Sequence, residues 1–492
     1  MSATTDQTWD NASQAPPLVS SAGAPIGDMM ASLSVGPQGP LLLQDAQLID
    51  NIAHFTREKI PERVVHAQGF GVFGKFVVTN DISDICKAEM FRSVGKETRT
   101  FVRFSTTIGG SGSADTVRDF RGMAAKFYTE DGNFDLVMLS IPVFPINDPM
   151  KLPSLIHSLK QDPRSHMFDQ NSMCDFVTLN PETLNAIFYF YSDSGIPDGY
   201  RHMNAYTCHA YKLVNKDGGF VYAKFQFKSD QGKKFLTPEE AKRLAGAKPD
   251  YAVSDLYRAI EKGSYPTWTL YIQTMTQEQA KSLGYYYSDT TKIWDEASFP
   301  LTPVGTLTLN EIPENYFEFT EQAAFAVRNL VPGVEGNQNK MFIARSFAYP
   351  DAQRARIGSN FAQLRVNCPI APVKNYHRDG AMTYNNQGSA VNYYPNTSGG
   401  PAPDPLYKET PYHICAEVNR NQEEDADHCT QPRILYQSLS AAHKQRLACN
   451  LAGDVYLTRK DIQDRVIEIF SKVDPDFGDK LKTLMDELCA SA

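Results

Sequence analysis

No window of the 492 residues approaches 18 consecutive apolar positions, so no segment reads as a membrane span. A basic excess is also missing. The formal net charge is -9, which removes the bulk electrostatic reason to seek nucleic acid or an anionic membrane. There is no C-x-x-C pair. Cys86, Cys174, Cys208, Cys368, Cys415, Cys429, Cys449 and Cys489 stand apart in a long chain. That excludes a disulfide framework and reads as reduced thiols in a reducing compartment. The first 40 residues lack the basic start and apolar stretch of a signal peptide, so the sequons at Asn11 and Asn396 have no secretory context. The last four residues, Cys-Ala-Ser-Ala, are not the S-K-L address. The cytoplasm is the expected location, and a peroxisomal one requires another signal.

What is present is ordinary for a globular protein, with 42% hydrophobic and 21% charged residues. Residues 1 to about 40 read as an arm, and a helix is expected through Leu43–Phe55. Short β-branched and aromatic runs follow, among them Lys75–Thr79, Thr100–Ser105, Ala125–Tyr128, Val221–Phe227 and Thr267–Ile272. Helical stretches such as Pro181–Ser192 and Pro238–Leu244 interrupt them. The pattern predicts an α+β protein built on an antiparallel β-barrel with helical insertions. Residues 311–430 are rich in Pro, Asn, Gly and Tyr, with little periodicity, and read as a segment that wraps over another body or subunit. Near the end, Ile462, Val466, Ile469 and Val473 form a helical stripe that should pack on the rest. The expected units are an arm over 1–65, a barrel over 66–310, the wrapping segment over 311–430 and a helical domain over 431–492.

Some motifs point nowhere. Gly69–Gly74 fits G-x-G-x-x-G, but a strand rather than a helix follows, so the glycines read as a tight bend between strands. Gly109–Ser113 lacks the Lys of a phosphate loop. His413, Cys415, His428 and Cys429 do not have zinc spacing and read as ordinary side chains. The acidic run Glu423–Asp427 reads as a solvated loop.

Two segments carry chemistry. One is Arg57–Ala67 (REKIPERVVHA); the other is Arg345–Arg356 (RSFAYPDAQRAR). Between them lie Val102–Thr106 (VRFST), Ser111–Arg118 (SGSADTVR), Gly195–Gly199 (GIPDG), Arg201–Asn204 (RHMN) and Pro249–Tyr251 (PDY). In content and order they resemble the monofunctional haem catalases of the small-subunit, animal type, from about residue 35 to the C-terminus.

The resemblance implies the catalase fold: a β-barrel with an N-terminal arm, a wrapping segment and C-terminal helices, assembled as a homotetramer. It implies haem, of the b type, and dismutation of hydrogen peroxide to water and oxygen. Tyr349 matches the axial iron ligand. A phenol ligates well as phenolate, and Arg345, four residues earlier on a helix, favours that charge. Pro350 is expected in the first turn of that helix. His66 matches the distal acid–base, for which imidazole is suited. Ser105 matches the hydroxyl that supports it. Arg63, Arg103 and Arg356 match positions facing the haem propionates. Phe144 matches an aromatic packed over the haem, Val65 the residue narrowing the channel and Asp119 an acid within it.

The chain departs from the pattern at one point above all. The family's distal asparagine lies in a stretch close to G-N-N-T-P; here the stretch is Met138–Pro142 (MLSIP), which places Leu139 at that position. Leucine donates no hydrogen bond to bound peroxide, so reduced dismutation is expected. Ser140 is adjacent, but neighbours on a strand face opposite ways. Leu152 and Leu155 stand where channel phenylalanines are common, and Thr107 where valine is. For NADPH, Ser192, Asn204, Tyr206, Lys228 and Trp294 match. Asn185 and Glu296 replace His, however, and Ser194 replaces the Arg that meets the 2′-phosphate, which argues against NADPH. Two alternatives stay open. One is a haem-binding, catalase-like protein with little turnover, in a structural or sensory role. The other is a relative of the fatty-acid hydroperoxide isomerases, against which Val65 and the long C-terminal part argue.

Overall fold

The computed structural model describes residues 16–421 and 426–491. Most of the acidic run Glu423–Asp427 and the sequon at Asn11 lie outside them. A first unit ends at Pro61 and a second begins at Glu62. In the first, the predicted helix spans Ala46–Phe55 (α1). Asp45 starts it: one carboxylate oxygen accepts from Leu48 N at 3.0 Å and the other from Leu33 N at 2.8 Å.

The second unit is organised by strands β1 (Gly69–Val78), β2 (Glu97–Ser105), β3 (Gly122–Thr129) and β4 (Gly132–Leu139). Helices α2 (Leu152–Ser158), α3 (Gln170–Leu179) and α4 (Leu184–Tyr191) are inserted next. Strands β5 (Ala205–Tyr206), β6 (Tyr211–Val214) and β7 (Phe220–Ser229) follow, then α5 (Pro238–Ala247) and α6 (Tyr251–Glu261). Next come β8 (Thr267–Met275), α7 (Gln277–Ser282), β9 (Thr302–Glu311) and β10 (Val334–Glu335). Every pairing is antiparallel, and β7 pairs with both β5 and β8, closing the ring β7-β5-β4-β3-β2-β1-β9-β8. The glycines of Gly69–Gly74 are not a bend between strands but lie inside β1, where a Cβ on Gly71 would lie 2.3 Å from the Phe101 ring and one on Gly74 2.1 Å from Thr308 O.

Alternation along the strands fills the barrel. Phe104 is fully buried, its ring 5.2 Å from Tyr200 and 5.6 Å from Trp268. Phe104→Ala is expected to cost roughly 3–5 kcal/mol, read as a shifted denaturant midpoint at unchanged slope.

Helix α8 (Lys340–Arg356) emerges from the irregular stretch, and α9 (Thr430–Ser438), α10 (Ala441–Val455), α11 (Lys460–Val473) and α12 (Pro475–Ser491) complete the chain. The predicted stripe of α11 is buried, in one cluster with Phe188, Tyr436 and Phe477. Among the described residues no helix is long and apolar enough to cross a membrane.

One expectation fails. Pro350 lies deep inside α8, not in its first turn, which is capped by Asn339. Asn339 Oδ1 accepts from Met341 N and Phe342 N, so the helix begins three turns before the proline. A proline there donates no bond to Ser346 O, one turn back. The flanking residues keep the helix intact, and Pro350 itself is buried.

Candidate functional site

His66 sits just before β1 with φ at +65°, a left-handed conformation that a non-glycine residue holds only when its surroundings impose it. Those surroundings are explicit. His66 N donates to Thr107 O at 3.0 Å, and Arg103 on β2 donates to His66 O at 2.8 Å and to Ala67 O at 3.0 Å. The ring is set by Nδ1, which is 3.0 Å from Thr106 O and 2.9 Å from Ser105 Oγ. A carbonyl oxygen only accepts, so Nδ1 carries the hydrogen and Nε2 keeps its lone pair. Behind the ring is Gly122: a Cβ there would lie 2.8 Å from Nδ1 and 2.6 Å from Ser105 Oγ. Gly122 is thus a residue of the site that motif reading misses.

The same register places Leu139. Gly122 pairs directly with Leu139, and paired residues send their side chains to one face. That face is the one carrying His66 and Ser105. Leu139 is half-buried and packs against the apolar cluster containing Phe120 and Phe190. Ser140 does not replace a distal amide: its hydroxyl accepts from Arg121 N at 3.0 Å, and the residue lines a different cavity. Thr107 spends its hydroxyl on Phe120 O at 2.7 Å.

On α8 the i,i+4 reading is correct. Arg345 Nη2 donates to Tyr349 Oη at 2.7 Å. The other Nη meets His209 Nε2 at 2.8 Å; since guanidinium only donates, that nitrogen accepts. Burial holds the His209 pKa well below its usual value, so the ring is neutral. His209, between β5 and β6, was not legible from any local motif. Phe144 stands with this group: the Arg345 guanidinium lies 5.5 Å from its ring centre.

Arg63, Arg103 and Arg356 converge with Glu321. Arg63 Nη2 donates to Thr320 O, Glu321 O and Ala323 O, and Arg356 Nη2 meets Glu321 Oε1 at 2.7 Å. Arg63 Nη1 and Arg103 Nε are buried without a hydrogen-bond acceptor. Glu321 pairs with Arg63 and Arg356, Arg103 has no carboxylate within ion-pair distance among the described residues, and desolvation lowers the pKa of all three. The cluster therefore suits a dianionic group. A phenol prepared by arginine, a lone-pair imidazole and this cation cluster together fit a haem with two propionates. Val65 is half-buried beside His66.

Asp119 Oδ2 accepts from Thr107 N at 2.7 Å and Ile108 N at 2.8 Å, while Oδ1 has no hydrogen-bond partner. Burial raises this carboxyl to about 6, against the pull of Arg121. Desolvation first, and Arg103 second, lower His66 to about 3. Above pH 6, Asp119 is anionic and His66 neutral; between 6 and 3 only Asp119 changes. The rate constant for peroxide is expected to show one acid-side inflection, near pH 6, that disappears in Asp119→Asn. An inflection persisting in that variant would mean that His66 is the titrating group.

Comparison with known proteins decides what this arrangement belongs to. The model of the family described as "Catalase" matches residues 19–400, and that of "Catalase-related immune-responsive" matches 422–485. The chain belongs to the catalase family. It is 48% identical over 473 residues to the catalase of Glandirana rugosa, covering 96% of this chain and 90% of that one. To the catalase of Sus scrofa it is likewise 48% identical, with the same coverage. A fungal catalase structure superposes with a TM-score of 0.92 at 43% identity, covering 96% of this chain and 97% of the other. Catalase A from Saccharomyces cerevisiae gives 0.91 at 42% identity, covering 95% and 99%. Catalases are haem oxidoreductases acting on hydrogen peroxide, and the barrel with helical C-terminal region is the catalase fold.

Proposed function

We propose that this chain binds haem through Tyr349 and dismutes hydrogen peroxide to water and oxygen at a rate limited by Leu139. The observation carrying this reading is the pairing of an intact His66–Ser105 dyad with a leucine on the same face. Haem bound there supplies the iron redox chemistry that cleaves the O–O bond. Arg345 donates to the Tyr349 oxygen and fixes its position, and Arg63 and Arg356, with Arg103 through Nε, would hold the propionates. His66 Nε2 takes the proton from one peroxide oxygen and returns it to the other. Leu139 excludes water but offers peroxide no hydrogen bond.

Leu139 also supports a second reading, a haem-binding protein with little turnover. Oxygen evolution from hydrogen peroxide by haem-loaded protein separates the two, and a lipid hydroperoxide assayed beside it tests the isomerase alternative. The homotetramer remains part of the proposal. It is supported by the apolar side chains that the wrapping segment leaves exposed, such as Met382, Leu406 and Val418.

NADPH does not suit the residues present. Glu296 lies 3.5 Å from Lys228 Nζ, and Asn185 Nδ2 is spent on Thr291 O and Gln431 Oε1. With Ser194 in place of arginine, the cavity lined by Ser194 and Glu296 offers two lysines, Lys224 and Lys233, too few for three phosphate groups.

A further inference from the structure

The cavity that rejects a dinucleotide is nonetheless a built site. Its volume is about 820 Å³, and it adjoins a second of about 910 Å³; Tyr189, Ile293, Asp295, Leu435 and Ser438 line both. The second has largely apolar walls, including Leu283, Phe299 and Ile434. The first lies between β7, β8 and helix α9, the second between α9 and residues 283–299, and neither is lined by His66 or Tyr349.

Three polar side chains on the outer barrel face define the first cavity. Lys224 and Gln226 alternate along β7 and so share a face, and Gln273 pairs with Lys224 across β8. Lys224 is 5% exposed and Gln226 4%. Lys224 Nζ donates to Lys292 O at 2.9 Å and lies 5.2 Å from the Trp294 ring centre. Among the described residues no carboxylate lies within ion-pair distance of it. The acid whose charge reaches Lys224, Asp289, accepts from the Thr291 N–H and hydroxyl and is outside ion-pair distance; the acids lining the cavity are engaged too, Asp193 with Arg446 and His443, Glu296 with Lys228, and Asp295 with the Ser298 N–H and hydroxyl. A buried ammonium without an anion is costly, and its remaining donors suit one supplied from outside the chain.

Gln226 adds direction. Gln273 Nε2 donates to Trp294 O and Phe299 O, which turns Gln273 Oε1 toward the Gln226 amide nitrogen. Gln226 Oε1 is left as a buried acceptor with no hydrogen-bond partner. The occupant that completes both groups carries one negative charge and, beside it, one donor. The adjoining apolar cavity gives it a hydrocarbon body.

We propose that this cavity binds an apolar carboxylate bearing a hydrogen-bond donor on the atom next to the carboxylate, of which a 2-hydroxy fatty acid is the simplest member. Its carboxylate meets Lys224, its hydroxyl donates to Gln226 Oε1, and its chain runs toward Phe299 and Ile434. Lys224 is the buried cation of the lining, and the other lysine there, Lys233, is exposed, which suits a monoanion better than a dinucleotide.

Isothermal titration of the full-length haem-loaded protein with 2-hydroxydecanoate, decanoate and NADPH tests this. Saturable binding of 2-hydroxydecanoate is expected, about tenfold tighter than decanoate, the difference made by one hydrogen bond to a buried acceptor. NADPH should give no saturable heat. Gln226→Met should abolish the preference while leaving decanoate binding, and Lys224→Met should abolish both. Equal affinity for the two acids in the native protein, binding that survives Lys224→Met, or saturable binding of NADPH would each overturn the proposal. The comparison of ligands on the unaltered protein holds even if a variant fails to fold.

Discussion

Replacing Leu139 by asparagine is expected to raise oxygen evolution from hydrogen peroxide by roughly 100–1,000-fold, the effect of one positioned donor worth about 2.7–4 kcal/mol in the transition state. The geometry favours so large an effect. The side chain at 139 leaves β4 opposite Gly122, whose own Cβ direction leads into the His66 ring and Ser105 Oγ. An amide there joins a site in which Ser105 and Thr106 already hold the imidazole and Arg103 the His66 carbonyl. No neighbouring group does this work in the native chain, because Ser140 and Thr107 are committed to the backbone at Arg121 and Phe120. Haem content should be equal in the two proteins, so the change belongs to turnover. A native rate already matching the variant would show that a distal donor is dispensable here.

Tyr349→Phe is expected to produce the largest loss, that of the cofactor itself. Phenylalanine removes the oxygen that ligates iron and leaves Arg345 Nη2, buried on α8, without its acceptor. The purified variant should lack the haem absorption band. Arg345→Ala keeps the phenol but removes the donor that positions its oxygen, and should weaken haem affinity by roughly 10–100-fold. The ordering of the two variants is the informative result. Full haem occupancy in Tyr349→Phe would exclude Tyr349 as the ligand.

Legibility in the sequence followed the range of the interactions. Arg345 and Tyr349 are one helical turn apart, so their contact follows from spacing alone. The alternating strands and the stripe of α11 were likewise readable from period. His209 was not, because its partner Arg345 lies 136 residues away and nothing local marks it. Gly122 matters only through the register that sets it behind His66. Pro350 was misplaced because proline favours a first turn, a preference that the cap at Asn339 overrides. Arg103 shows a subtler limit. The resemblance sets it at the propionates, and no spacing shows that both its Nη atoms hold the backbone at His66 and Ala67, so that Nε is the donor left for such a partner.

The capping of α8 carries a consequence for how the molecule is made. Asn339 Nδ2 donates to Ser288 O and Asn147 Oδ1, and Arg63 reaches backbone oxygens of residues 320–323, the first of them 257 positions along the chain. Contacts of such long sequence separation form late, after loop-closure entropy has been overcome. Closing the ring through β1 and β9 depends on contacts of comparable separation, so the barrel and the docked α8 are expected to appear together, late, in one cooperative step of folding.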